Sequence, residues 1–192
     1  MEHQTTYKQI SSFPSLKNEA VLKALQKSCA FPCDTSKEAA EKAAGPYEYE
    51  DGCIYQGQMQ NGRREGLGKQ LFPDGSFYEG SFKNDKANGL GRKIHADGST
   101  YEGEWVNDQY EGKGTQVWTD GDSFEGYFLQ GKKNGKGEYK WADGSIYNGD
   151  YVNGTISGKG EYTWPDGRNY VGDWKDDKKD GTGIYTWPDG RK

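Results

Sequence analysis

Tyr101-Glu102-Gly103-Glu104-Trp105, followed at fixed offsets by Gly112-x-Gly114 and by Asp120-Gly121, is the stretch that decides the fold, because its spacing returns along the chain. Asp-Gly recurs every 23 residues, at Asp74-Gly75, Asp97-Gly98, Asp120-Gly121, Asp143-Gly144, Asp166-Gly167 and Asp189-Gly190. Such a fixed period makes residues 55–192 six copies of one supersecondary unit, and any function has to be read from an array rather than from one cleft. Each position is numbered here as a slot of the 23-residue repeat, with Tyr55 as slot 1.

Bulk composition alone points toward disorder: 31% of residues are hydrophobic, the formal net charge is -5, and mean hydropathy is -1.12. The order of the residues overrides that signal. Of 29 glycines, 24 occupy slots 3, 12, 14 and 21, and 22 of the 27 aromatic residues lie between Tyr55 and Trp187. Disordered linkers do not hold glycines and rings in phase.

Slots 1, 3 and 5 read ring, glycine, ring, with polar residues between them, which is the period of two expected of a strand. Slots 12, 14, 16 and 18 repeat the alternation, as in Gly135, Gly137, Tyr139 and Trp141. Turn chemistry separates these runs: Asn61-Gly62, Asn84-Asp85, Asn107-Asp108 and Asn153-Gly154 fall in slots 7 to 11, and Pro-Asp-Gly or Ala-Asp-Gly in slots 19 to 21. The expected fold is all-β: a single-layer, twisted antiparallel β-hairpin meander of about a dozen strands, with a short helical N-terminal extension. Pairing of same-face slots across each turn puts slot 5 opposite the slot 12 glycine, slot 3 opposite slot 14, and the slot 14 glycine opposite the next slot 5 ring, so that rings lie over strand glycines.

Residues 1–46 form a different text. Ser15 to Ser28 reads as an amphipathic helix with Ser15 as its N-cap, and Thr35-Ser36-Lys37-Glu38 is a capping box for a second helix stopped at Gly45-Pro46. The two helices either cover the first strand edge or dock onto a partner. Residues 47–54, which include Tyr47 to Gly52, read as the second half of a degenerate repeat. At the other end the sequence stops in phase with a repeat, and its edge is expected either to pair with a second copy or another protein, or to continue in a longer chain.

Tyr78-Glu79-Gly80-x-Phe82, Tyr101-Glu102-Gly103-Glu104-Trp105 and Tyr147-x-Gly149-x-Tyr151, each followed by Gly-x-Gly and Asp-Gly, resemble the MORN repeat, the membrane occupation and recognition nexus motif. Departures are Met59 in place of the slot 5 ring and His95 in place of the slot 18 ring. The resemblance implies a hairpin ribbon whose groove takes up partner peptides. Similar proteins act as scaffolds in ciliary axonemes and radial spoke heads, in parasite cytoskeletons and at membrane junctions, and as accessory modules on lipid kinases and methyltransferases. A cytoplasmic, cytoskeletal location in a cilium or flagellum axoneme follows as an expectation from the same resemblance. Bacterial cell-wall-binding hairpin arrays are a further comparison, and the Tyr-x-Gly-x-ring phase fits them less well.

Little in the chain reads as catalytic, and no enzyme, cofactor or metal is expected. Residues 126–133 mimic a phosphate loop but carry Lys133 where a Ser or Thr belongs. His95 fills a ring slot and reads as a packed histidine, while one Asp per 23 residues is too sparse for calcium. A pI of 5.2 argues against nucleic acid. Cys29, Cys33 and Cys53 show no zinc spacing and read as free thiols.

Two sets of variable slots remain as candidate partner sites. Tyr139, Trp141, Tyr162, Trp164, Tyr185 and Trp187 concentrate rings in the last three repeats, where a single-layer sheet has no second sheet to cover them, and they are the candidate peptide-binding residues. Lys113, Lys136 and Lys159, all in slot 13, form a row suited to acidic lipid head groups or an acidic peptide. The expected function is a non-enzymatic scaffold for other proteins in a ciliary or cytoskeletal assembly, able to dimerise through its C-terminal edge. The alternative is a peripheral membrane adaptor that binds anionic phospholipid.

Overall fold

The computed structural model describes residues 6–27 and 44–192. The chain divides into two compact units, Met1–Gln109 and Tyr110–Lys192. The first holds β1 (Tyr7–Gln9), α1 (Glu19–Lys27), β2 (Ala44–Tyr49), β3 (Ile54–Gln60), β4 (Arg63–Leu71), β5 (Phe77–Lys83), β6 (Lys86–Ile94) and β7 (Thr100–Val106). The second holds all but the first residue of β8 (Gln109–Val117) and continues through β9 (Ser123–Leu129), β10 (Lys132–Lys140), β11 (Ile146–Val152), β12 (Thr155–Thr163), β13 (Asn169–Lys175) and β14 (Lys178–Thr186). Within each unit the strands lie in chain order and neighbours pair antiparallel, so each is a β-hairpin meander.

Two kinds of turn produce this order. The hairpin inside each repeat is a two-residue turn at slots 7 and 8, with both residues at positive φ, as at Asn61 (51°) and Gly62 (76°) or Asn84 (48°) and Asp85 (67°). That backbone has the twist that strand pairs require, and Asn, Asp and Gly enter it at least cost. Between repeats, the Asp of Asp-Gly accepts a hydrogen bond from the backbone N–H two residues on. The bonds run to Asp74 from Ser76 (2.8 Å), to Asp97 from Ser99 (2.8 Å), to Asp120 from Asp122 (3.0 Å), to Asp143 from Ser145 (2.7 Å), to Asp166 from Arg168 (3.1 Å) and to Asp189 from Arg191 (3.1 Å). All six carboxylates are therefore turn caps.

The slot register differs from the expected one at slot 12, and at slot 14, which faces the next slot 3 glycine instead of the next slot 5 ring. Slot 3 faces slot 14 on both sides, as in Gly57↔Gly68 and Gly68↔Gly80. Slot 5 faces slot 10 of its own hairpin, as in Phe128↔Lys133, and slot 12 of the preceding repeat, as in Gly66↔Phe82. The physical reason is a bulge. Slot 12 glycines adopt left-handed φ (74° at Gly66, 85° at Gly135, 117° at Gly158), and the pairing shifts there. A Cβ on Gly66 or Gly158 would meet the slot 4 side chain, Gln58 or Asp150, on the face away from the rings. Slot 12 therefore re-sets the register, and it is the slot 3 and slot 14 glycines that admit the rings.

The slot 1 ring fills the space those two glycines leave. A Cβ on Gly137 would collide with Cε2 and Cζ of Phe124, and one on Gly160 with the Tyr147 ring. Tyrosines in this slot donate their hydroxyl to the slot 4 carbonyl: Tyr55 to Gln58 (2.7 Å), Tyr78 to Ser81 (2.9 Å), Tyr101 to Glu104 (2.9 Å), Tyr147 to Asp150 (3.2 Å) and Tyr170 to Asp173 (3.2 Å). Slot 5 rings stand edge-on between successive slot 1 rings. Phe82 meets Tyr55 and Tyr78, both at 5.1 Å, and Tyr151 meets Phe124 and Tyr147 at 5.1 and 5.4 Å. This edge-to-face zigzag is the core, and it supplies the burial that a second sheet would otherwise give.

The N-terminal segment corrects two expectations. Asn18, not Ser15, caps α1, accepting from the N–H groups of Ala20 (3.0 Å) and Val21 (3.3 Å). Strand β1, which the sequence pattern did not suggest, covers the edge of β2, with Tyr7 opposite Tyr49. The helix instead lies on the face opposite the slot 1 rings, where Val21 is buried against Phe77 and Ile94 and Asn18 donates to the carbonyl of Ala96 at 2.9 Å. Residues 47–54 carry the inter-repeat turn chemistry, with Asp51 accepting from the Cys53 N–H at 2.9 Å and Gly52 at φ 81°. The capping box at Thr35, Cys29 and Cys33 lie outside the described residues. Cys53 is a free, buried thiol.

Gly137→Val places a branched side chain against a fully buried ring, so it should destabilise the array by about 2–3 kcal/mol, whereas Glu138→Val on the opposite face should change stability by about 0.5 kcal/mol or less. Denaturant melts of the two variants check this, and equal midpoints would refute the assigned faces.

Candidate functional site

Alternation along the strands puts slots 1, 3, 5, 14, 16 and 18 on one face, called here the ring face, and slots 2, 4, 13, 15 and 17 on the other. In the second unit the ring face carries a second row of rings beside the core zigzag. From Trp118 the row runs to Tyr139 (5.4 Å), Trp141 (4.6 Å), Tyr162 (5.2 Å), Trp164 (4.6 Å), Tyr185 (5.3 Å) and Trp187 (4.4 Å), each pair tilted. All six candidate ring residues thus come together in one row. Trp118, in slot 18 of the third repeat, extends it by one ring and was legible from its slot alone.

These rings differ from the core zigzag in burial. Tyr147 and Phe124 are fully buried, while Tyr139, Trp141, Tyr162, Trp164 and Tyr185 are half-buried and Trp187 is exposed. The row therefore keeps ring surface open to a ligand while its inner edges are packed. Tyr139 is anchored from one side: its hydroxyl donates to Asp122 at 2.6 Å, and burial together with that carboxylate pushes the phenol well above its ordinary value.

Slot 10 side chains lie on these rings, a feature that the sequence reading missed. The Lys133 ammonium sits 4.2 Å from the centroid of Tyr139, 4.9 Å from Trp118, 5.1 Å from Phe124 and 5.9 Å from Tyr151. Two repeats on, Lys179 sits 4.2 Å from Trp164, 4.8 Å from Tyr170 and 5.3 Å from Tyr185. Burial pulls the Lys133 amine down to about 8, against the fields of Asp177 and Asp122, and burial followed by the nearby Arg168 lowers Lys179. The Tyr151 hydroxyl beside Lys133 is buried without a hydrogen-bond partner. The signal for these lysines was the departure of slot 10 from repeat to repeat, but the unbulged register had assigned slot 10 no ring neighbour.

The slot 13 lysines lie on the other face. Each is matched by a carboxylate: Lys113 with Glu125 at 3.2 Å, Lys136 with Asp150 at 2.8 Å and Lys159 with Asp173 at 2.5 Å. Exposed pairs of this kind contribute about 0–1 kcal/mol each, and they cancel the positive field that a lipid surface would read. His95 lies half-buried, its imidazole pushed below its ordinary value by burial and by Lys93. Among the described residues no group of three or more His, Cys, Asp or Glu is placed to hold a metal ion, and no helix is long and apolar enough to cross a membrane.

Hairpins of one 23-residue plan, paired in chain order within each unit, define a β-hairpin repeat protein. The MORN repeat family model matches residues 55–77, 78–100, 101–123, 124–146, 147–167 and 170–190, and the chain belongs to that family. No curated protein matches the sequence at a significant level. Among solved structures, the chain is similar to the TCP domain of SAS-4 (dCPAP) of Drosophila melanogaster in complex with a proline-rich motif of Ana2 (dSTIL). That match has 17% identity, 79% of this chain and 82% of that chain covered, and a TM-score of 0.48. It is also similar to the TCP10 domain of Danio rerio CPAP in complex with a peptide of Danio rerio STIL, at 15% identity, 73% and 72% coverage and a TM-score of 0.34. Likeness at this level does not bear on partner or cellular role.

Because Lys133 has a lowered value, the unfolded chain binds a proton that the folded chain lacks between about pH 8 and the ordinary lysine range near 10.5, so its stability penalty is full below pH 8 and fades as pH rises. Ring attraction for the cation offsets part of that penalty, and water reaches part of the side chain. Lys133→Met should therefore stabilise the protein by ~1 kcal/mol at pH 7, with the gain shrinking toward pH 10.5. Thermal melts across that range check the slope, and a variant less stable than wild type at pH 7 would contradict it.

Proposed function

We propose that the chain is a non-enzymatic scaffold that binds segments of other proteins along the ring face of repeats four to six. The observation that carries this reading is the row from Tyr139 to Trp187, whose inner edges are packed and whose outer surfaces are open. Fixed Tyr and Trp side chains lose little entropy when a peptide docks on them, which is why such rings dominate binding energy at interfaces. Every inter-repeat aspartate is spent on a turn, so the repeated carboxylates are part of the framework. The family resemblance supports a place in a cytoplasmic, cytoskeletal assembly, with the ciliary axoneme and its radial spoke heads as the setting we propose. Strand addition at β14, where Lys178–Ile184 is exposed, would join the array to a second copy or to another protein.

The membrane-adaptor alternative is weakened by the ion pairs of Lys113, Lys136 and Lys159. Affinity capture from ciliated cells separates the two readings. Wild type and Lys136→Glu should both recover cytoskeletal proteins, and Trp164→Ala should lose at least about tenfold of the signal. Recovery of lipid enzymes alone, or sedimentation with anionic liposomes that Lys136→Glu abolishes, would overturn the scaffold.

A further inference from the structure

Among the described residues, slot 10 carries a hydrogen-bonded cation in the first repeat, and cations without an ion-pair partner in the fourth, where Lys133 is half-buried, and in the sixth, where Lys179 is exposed. Arg64, the slot 10 residue of the first repeat, donates to Gln70 at 2.5 Å and to the Asp85 carbonyl at 2.6 Å, and lies 3.5 Å from the Asp85 carboxylate. Lys133 and Lys179 occupy the same slot over the rings, and among the described residues neither has a carboxylate within ion-pair distance. The acids around Lys133 are already engaged. Asp122 accepts from the Tyr139 hydroxyl (2.6 Å) and the Ala142 N–H (2.8 Å), and Asp177 accepts from the Ile156 N–H at 2.8 Å. Beside Lys179, Arg168 adds positive charge, its own guanidinium held 2.7 Å from Asp166.

We infer that Lys133 and Lys179 are the charge anchors of the ring face, and that the segment docking there is an acidic peptide whose carboxylates reach these two ammonium groups while its apolar side chains lie on the rings between them. This deepens the scaffold reading and rests on it. Half-buried Lys133 gains more from an incoming carboxylate than an exposed lysine does, because rings have already displaced much of its water. The two slots lie four strands apart, about 19 Å at 4.8 Å per strand, which an extended peptide spans in about six residues. Between them slot 10 is Ile156, an apolar floor that suits the uncharged part of such a segment. A bilayer presents its charges in a plane above apolar chains it does not release. A peptide instead delivers carboxylates singly and at depth, so the recessed position of Lys133 favours the peptide.

The test uses the full chain and two random copolymers, poly(Glu,Tyr) and poly(Lys,Tyr), with binding read by biolayer interferometry. Poly(Glu,Tyr) should bind and weaken with salt, and Lys133→Met and Lys179→Met should each cost about tenfold in affinity, the size of one charge-assisted hydrogen bond. Lys136→Gln, on the opposite face, should leave binding unchanged. Thermal melts confirm that each variant is folded. Unchanged poly(Glu,Tyr) affinity in the double variant, or no binding of that copolymer, overturns the inference. Binding of poly(Lys,Tyr) instead, lost in Trp164→Ala, would overturn the acidic partner and leave the ring-face scaffold standing. Binding of phosphatidylserine vesicles that depends on Lys133 and Lys179, with none to poly(Glu,Tyr), would assign the anchors to lipid.

Discussion

One close approach governs this protein: a slot 1 ring lying flat on the two glycines that face each other across neighbouring strands. The space exists only because slots 3 and 14 lack a Cβ, since one on Gly137 would overlap the Phe124 ring. With the ring lying down, its far end can reach the slot 4 carbonyl, as Tyr78 does to Ser81 at 2.9 Å, and its edge and face are free to meet slot 5 rings on either side. An array of paired strands with no covering sheet would otherwise have little to bury. Within each unit, neighbouring repeats bury their rings against one another, and stability there comes from nearest-neighbour terms.

The glycines of slot 12 solve a second problem that the same geometry creates. A two-residue turn fixes slot 6 opposite slot 9, yet slot 3 has to meet slot 14, which leaves an excess of two residues on the second strand. The bulge absorbs it, and the slot 4 side chain mends the broken ladder. Gln58 accepts from the Leu67 N–H at 2.9 Å, Asp150 from Lys159 at 3.0 Å and Asp173 from Thr182 at 3.0 Å. The bulge also swings slot 10 against the rings of its own and adjoining repeats, and so seats Lys133 and Lys179 over rings.

Much of the fold was legible because turn chemistry and strand alternation are local. Asp-Gly, Asn-Gly and the ring-glycine-ring runs each declare their conformation within a few residues, and the period ties them into strands. The register was less legible, because glycine at slot 12 and glycine at slot 14 look alike in sequence although one is needed for positive φ and the other for an absent Cβ. Ser15 carries the same capping chemistry as Asn18, and only the contact of Val21 with Phe77 and Ile94 selects where the helix starts. Of the candidate site, the ring row was legible from its slots, whereas the ring-seated lysines were not. Lys133 and Lys136 are both simply lysines near a turn until the bulge sends one to the rings and leaves the other paired with Asp150.

The function follows from what this framework leaves free. Glycines, core rings and inter-repeat aspartates are committed to packing and turns, and under the proposed scaffold reading partner choice falls to the half-buried row and to slot 10. The central claim, that a ring lies flat against each slot 14 glycine, is open to a direct reading by solution NMR. Ring currents should move the Hα resonances of Gly68, Gly91, Gly137, Gly160 and Gly183 well upfield of ordinary strand glycines, while those of the slot 12 glycines, Gly66 and Gly135, stay near ordinary values. Unshifted resonances at the slot 14 positions would contradict the account.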